Sequence, residues 1–345
     1  MDETLRESRK HFSKLGIMFV LGTLVIYAAQ FVLLLLVQMW KPEWLDNTDI
    51  SMALSVLSMY LVGMPILILL VKTVPAETVE KRKMKWWQFL IAAVMSFGLA
   101  YSANFVGNFI TTVIGLLKGS AVENVILEVA TSVSMIFVVL YMVICAPFME
   151  EYVFRKLIVD RTVKYGQGVA VLMSGLMFGL FHGNLNQFVY AFVLGCFFAF
   201  LYVKTGNLKI TIALHMLFNF MGGAVSTKLL EMVDFQGYQE IMANGMDTAA
   251  LSAHMAENAV GWLLFGVFGL FVLAMILAAF ILMIVCIVTK KFVFEQGHVV
   301  IPKGQRFRTV IFNVGMVIYC IFWIAMILYS LFEKEINDKL ISLIN

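Results

Sequence analysis

Residues 259–289, AVGWLLFGVFGLFVLAMILAAFILMIVCIVT, run 31 positions without a charged side chain. A helix needs only ~20 apolar residues to cross the hydrocarbon of a bilayer. Working outward from this run, further apolar stretches occur at about 15–39, 51–71, 87–117, 131–149, 168–182, 187–203, 210–225 and 309–332. The three between 168 and 225 are short for a straight span, so their helices must continue into the flanking polar segments. The predicted fold is therefore all-α, a polytopic membrane helix bundle of about nine transmembrane helices. Composition agrees: 61% of the 345 residues are apolar and 14% charged, against about 45–50% and ~25% in soluble domains. The mean hydropathy is +0.91. A net charge of only +3 gives no basis for a nucleic-acid partner; the lipid bilayer is the expected surroundings.

Lys and Arg alternate between the connecting segments. With the N-terminus cytoplasmic and the C-terminus outside, 20 of the 25 fall on the inner side, including Lys72–Lys85, Arg155–Lys164 and Lys290–Arg308. Basic residues are retained on the cytoplasmic side of membrane proteins, which fixes this orientation as the expectation. The opening MDETLRESRKHFSK leads into 25 apolar residues, too long for the core of a cleaved signal peptide, so it is read as the start of the mature protein. Cys145, Cys196, Cys286 and Cys320 stand singly in apolar runs and read as packing residues.

The informative residues are the charges placed where apolar runs should continue. A charge near the bilayer centre costs roughly 2.5 to 3.5 kcal/mol, so such residues point to function by default. VICAPFMEEYVFR, 143–155, places Glu150, Glu151 and Arg155 at the end of the fourth run. FGLFH, 178–182, sets His182 four residues after Phe178, and HMLFN, 215–219, sets Asn219 four after His215; each pair shares one helix face. For Glu151 and Arg155 an ordinary interfacial i, i+4 ion pair with a snorkelling arginine is the preferred reading. Glu150 has no such partner among its neighbours. His182 and His215 fall in spans close to the Glu pair, whereas His11, His254 and His298 lie in polar stretches. Asn219 alone would be a helix-packing hydrogen-bonding residue.

Depth offers a check. At 1.5 Å per residue, Glu150 lies ~15 Å above the Asp160 end of helix 4, His182 ~21 Å above Gly168, and His215 and Asn219 ~8 and ~14 Å above Ile210. All four fall in one slab, provided helix 4 runs on beyond its apolar part.

In order and spacing, EEYVFR, FGLFH and HMLFN resemble the three motifs EExxxR, FxxxH and HxxxN of the CAAX-processing and bacteriocin-processing (CPBP, or Abi) family of intramembrane proteases. The connecting NQFVYAFVLGCFFAFLYVKTGNLKITIALH is similar to that family as well. The likeness covers about 131–225. It implies an intramembrane endopeptidase acting on a membrane-associated peptide or protein. In that reading Glu150 is the base that activates water, His182 holds and polarises it, and His215 and Asn219 stabilise the oxyanion. Glu151, Arg155 and Phe178 support the site. Glu150, His182 and His215 together could also hold a catalytic zinc; the metal-free glutamate mechanism, with no cofactor, is favoured. Four segments follow: N-terminal helices 1–3 in 1–130, the catalytic core in 131–225, an extracytoplasmic loop in 226–258 and two C-terminal helices in 259–345. A multi-pass protein of a bacterial plasma membrane is expected. Two other functions compete. A proton-coupled transporter would continue its polar residues across the membrane, and a non-catalytic binding or immunity protein would keep its phenotype without Glu150.

Overall fold

The computed structural model describes residues 3–122, 124, 127 and 131–344, so the boundary drawn at 130 lies outside the described residues. Among these the chain is helical, with no strand. In chain order the helices are α1 (Glu3–Trp40), α2 (Thr48–Lys72), α3 (Trp86–Lys118), α4 (Met135–Tyr165), α5 (Gln167–Phe181), α6 (Leu185–Thr205), α7 (Leu208–Met232), α8 (Phe235–Ala243), α9 (Thr248–Glu257), α10 (Ala259–Val288), α11 (Val314–Leu331) and α12 (Glu333–Ile344). Eight of the described helices are long and apolar enough to cross a membrane, and α5, at 15 residues, is a shorter apolar ninth. These nine correspond to the nine apolar runs, and α4 does continue through Arg155 to Tyr165.

Helix starts follow local chemistry. Asn47, Asn184, Asn207 and Asn313 precede α2, α6, α7 and α11, and each side-chain oxygen accepts a backbone N–H of the first turn, at 3.1, 2.9, 3.2 and 3.0 Å. Such caps satisfy donors that the helix itself leaves unpaired. Tight turns at Gly166, Gly183 and Gly206 connect α4, α5, α6 and α7 in succession, so the helices that carry the motifs are packed as neighbours.

The long helices are not uniform, and two of their irregularities have one cause. Pro65 in α2 and Pro147 in α4 lie in helix interiors, where proline has no N–H and its ring clashes with the carbonyl four residues back. In both places the preceding turn is widened to a π-helix, Met59–Gly63 before Pro65 and Val138–Cys145 before Pro147. The widened turn contains the carbonyl that would clash, Leu61 in one case and Val143 in the other. Two further wide turns have no proline: Glu151–Leu157, immediately after Glu150, and Phe220–Val225, immediately after Asn219. Single π-turns of this kind often mark functional positions.

Packing centres on α4. One core joins Phe12 and Phe19 of α1, Leu67 of α2, Phe154 of α4, Phe178 of α5 and Tyr319 of α11. Helices α5 and α6 approach closely, so that a Cβ at Gly175 would overlap Cys196 and sit 3.0 Å from the Phe192 carbonyl. Small residues permit this backbone contact, the usual basis of helix association in lipid. At the periphery α10 packs along α3, and its Leu263, Leu270, Phe280 and Ile281 are exposed, as a lipid-facing helix requires.

Segment 226–258, expected to be a connecting loop, is mostly helical. Ser226–Met232 completes α7, and α8 and α9 follow, capped by Asp234 on Gly237 N–H and Asp247 on Ala249 N–H. The polar character of this stretch hid short helices whose caps are themselves acidic.

Candidate active site

Glu150 ends the α-helical turn Ala146–Glu150, and Glu151 opens the wide turn that follows. This junction sends the two adjacent carboxylates to different surroundings. Glu151 is wholly buried and takes two partners on one oxygen: Arg155 Nη2 at 2.9 Å and His215 Nδ1 at 2.9 Å. Glu150 keeps 24% of its side chain exposed, with Oε2 3.7 Å from His215 Nε2. The imidazole of His215, from α7, thus stands between the two carboxylates.

Arg155 is also wholly buried, which corrects the snorkelling reading: the i, i+4 pair forms, but in the protein interior and not at an interface. Its guanidinium lies 4.3 Å from the centre of the Phe178 ring and 5.7 Å from that of Phe198. Its nitrogens make no well-aligned hydrogen bond, so the charge is met by the Glu151 ion pair and two aromatic faces, an arrangement suited to a planar, weakly hydrated cation. Removing one partner of such a buried pair leaves the other stranded.

Phe178 of α5 is the hub. It is buried, with its ring 4.8 Å from that of His182, 6.0 Å from His215 and 5.1 Å from Phe154. His182 Nδ1 lies 2.9 Å from the Phe178 carbonyl. A carbonyl only accepts, so Nδ1 carries the hydrogen and the Nε2 lone pair of the neutral ring is left free to bind a proton or a water.

Asn219 makes a hydrogen bond between helices, as its residue type alone suggests, and its partner is specific: Nδ2 donates to the Met142 carbonyl of α4 at 2.8 Å. Met142 lies in the wide turn before Pro147, where Ala146 N–H reaches back five residues to Tyr141. The next donor in that register would be residue 147, a proline with no N–H, so Asn219 pairs a carbonyl that the helix cannot. An amide nitrogen carries two hydrogens, and the second is not used by this bond. Leaving such a carbonyl unpaired costs about 1–3 kcal/mol. Asn219→Leu is therefore expected to lower the thermal unfolding midpoint while Asn219→Gln restores part of it, as measured on the detergent-solubilised protein.

The structure brings together Glu150, Glu151, Arg155, Phe178 and His215, and joins His182 and Asn219 to them through Phe178 and helix α4. Sequence reasoning missed several neighbours. Tyr60 of α2 packs against Tyr141 of α4 with ring centres 5.7 Å apart. Thr211, one turn before His215, lies beside Glu151, with its hydroxyl donating to the Leu208 carbonyl at 3.1 Å. The i, i+4 spacing of Thr211 and His215 could have signalled this; nothing in the sequence signals Tyr60. Among the described residues no three His, Cys, Asp or Glu side chains form a group that could hold a metal ion.

A membrane helix bundle that gathers two carboxylates, an arginine and two histidines around one buried phenylalanine defines a class of multi-pass membrane proteins with an embedded polar site. Within that class, residues 132–221 match the family described as type II CAAX prenyl endopeptidase Rce1-like. The chain is 29% identical over 157 residues to the putative membrane peptidase YdiL of Bacillus subtilis (strain 168), spanning 45% of this chain and 64% of that protein. It is 33% identical over 88 residues to the membrane-embedded CAAX protease MroQ of Staphylococcus aureus (strain USA300), spanning 24% of this chain and 36% of that protein. In both cases the match covers less than two thirds of the relative. No solved structure matches the chain. Residues 132–221 are thus similar to the CAAX-processing (CPBP) family of membrane proteases, and the eight long apolar helices are those of a multi-pass membrane protein.

Proposed function

We propose that the chain is an intramembrane endopeptidase in which Glu150 activates water against a peptide bond of a membrane-associated peptide or protein. The observation that carries this reading is the division between the two carboxylates. Glu150 stays accessible, while Glu151 is sealed behind it with Arg155 and His215. A base must reach substrate, and a group that orients others need not.

In this mechanism water binds between the Glu150 carboxylate and His182 Nε2. Glu150 takes its proton as the hydroxide oxygen bonds to the scissile carbonyl carbon. Protonated His215 donates from Nε2 to the oxyanion, because its Nδ1–H is engaged by Glu151, and Asn219 adds its second amide hydrogen. Each such donor is typically worth 10² to 10³ in rate. With His215 protonated, Glu150, Glu151, Arg155 and His215 sum to zero charge, which limits the cost of holding them out of water. As the tetrahedral intermediate collapses, Glu150 returns its proton to the leaving amine, so every proton is accounted for.

No step passes through a metal, and this is testable. The full-length protein in nanodiscs, given a quenched fluorescent membrane peptide, is expected to cleave at an unchanged rate after treatment with a strong zinc chelator. Activity lost on chelation and restored by zinc would contradict the metal-free mechanism and make Glu150, His182 and His215 ligands.

A further inference from the structure

Away from this site, a cavity of about 460 Å³ opens between the Gly166 turn joining α4 to α5 and the segment 294–311 leading from α10 to α11. That volume is within the usual range for small-ligand sites. The walls are held in place by backbone bonds: Gln167 N–H to the Glu295 carbonyl at 3.0 Å, and Val299 N–H to the Lys164 carbonyl at 3.0 Å. Gly297 lies so close to Lys164 and Gly166 that any side chain there would overlap their backbone, which lets the two segments meet.

Charge and polarity in the cavity are ordered. Lys303 and Arg306 stand at its rim, and among the described residues no carboxylate pairs with either. The one lining carboxylate, Glu295, is answered from outside by Lys204 at 3.4 Å and Arg82 at 3.9 Å. Arg306 is oriented by a bond from Nε to the Ile301 carbonyl at 3.2 Å, separate from its two terminal nitrogens. Deeper along the bundle the wall becomes apolar through Val169, Leu172 and Ile311, and Leu172, in the second turn of α5, is half exposed. A cationic rim at the ends of the spans that grades into an apolar wall between them has the polarity profile of one leaflet. The segments at this end of the bundle, moreover, hold most of the chain's Lys and Arg.

We propose that this cavity binds an anionic phospholipid, with its phosphate between Lys303 and Arg306 and the first carbons of an acyl chain against Val169, Leu172 and Ile311. Arginine offers paired donors to phosphate oxygens, and each juxtamembrane cation contributes about 1 kcal/mol toward an anionic lipid. The proposal goes beyond the peptidase reading and does not depend on it.

The test titrates dioctanoyl phosphatidylglycerol against the full-length protein in neutral detergent and follows the thermal unfolding midpoint, which rises with occupancy of a native-state site. Saturable stabilisation is expected with this lipid and not with dioctanoyl phosphatidylcholine. Glycerol phosphate, which has the charge without the chain, should also fail to stabilise. Lys303→Gln with Arg306→Gln should weaken apparent affinity about tenfold or more. Lys303→Gln alone should give part of that loss in a protein that keeps the Arg306 bond. A control pair, Lys290→Gln with Lys291→Gln, removes equal charge from exposed positions outside the cavity. Equal stabilisation by the zwitterionic lipid or by glycerol phosphate would overturn the proposal, as would an equal loss in the control pair.

Discussion

Glu150→Gln is expected to lower peptide cleavage about 10³-fold while leaving the fold intact. General base catalysis contributes typically 10² to 10⁴, and glutamine preserves the volume of the side chain while losing its ability to take a proton from water. The structural cost should be small because Glu150 is partly exposed and its contact with His215 Nε2 is long, at 3.7 Å. The Glu151–Arg155 pair and the Glu151–His215 bond do not involve it. An unfolding midpoint close to that of the parent, measured beside the cleavage rate, separates loss of chemistry from loss of structure. If turnover were retained, Glu150 would not be the base.

Glu151→Ala should act in the opposite way, chiefly on stability. Breaking a buried ion pair by removing one partner costs about 3–5 kcal/mol, because the remaining charge is left without compensation. Here that charge is Arg155, wholly buried between Phe178 and Phe198, and His215 loses its Nδ1 partner as well. Replacing both partners, Glu151→Leu with Arg155→Met, should recover most of the lost stability, since an apolar pair of similar volume needs no partner. It should not recover cleavage, because His215 would no longer be oriented toward the substrate. Denaturant or thermal unfolding of the single and double variants in one detergent measures this. A Glu151→Ala protein as stable as its parent would show that the pair is not a structural requirement.

Much of the architecture is legible in the sequence because a bilayer imposes a simple rule. Length and hydropathy alone mark α1 or α10 as a span, and a charge inside a span is conspicuous. The same rule makes Glu150, Glu151, His182 and His215 stand out from the apolar residues around them. What stays hidden depends on backbone detail that side-chain periodicity does not report. The i, i+4 spacing of Glu151 and Arg155 suits a snorkelling surface pair and a sealed pair equally, and only packing against Phe178 decides between them. The Asn219 contact with Met142 arises from a proline five residues further along and a turn widened ahead of it. Tyr60 packs on Tyr141 of α4 from α2, outside the segment 132–221 that matches the family model. Helices α8 and α9 begin at acidic caps inside a polar stretch that reads as loop.

The most direct measurement of the central claim is cleavage of a membrane peptide library by the full-length protein in nanodiscs, with products mapped by mass spectrometry, for the parent and Glu150→Gln side by side. Discrete cuts made by the parent and absent with a folded Glu150→Gln are the predicted result. Identical products at equal rates from both proteins, or no cut by the parent in any peptide, would contradict a glutamate-activated intramembrane peptidase.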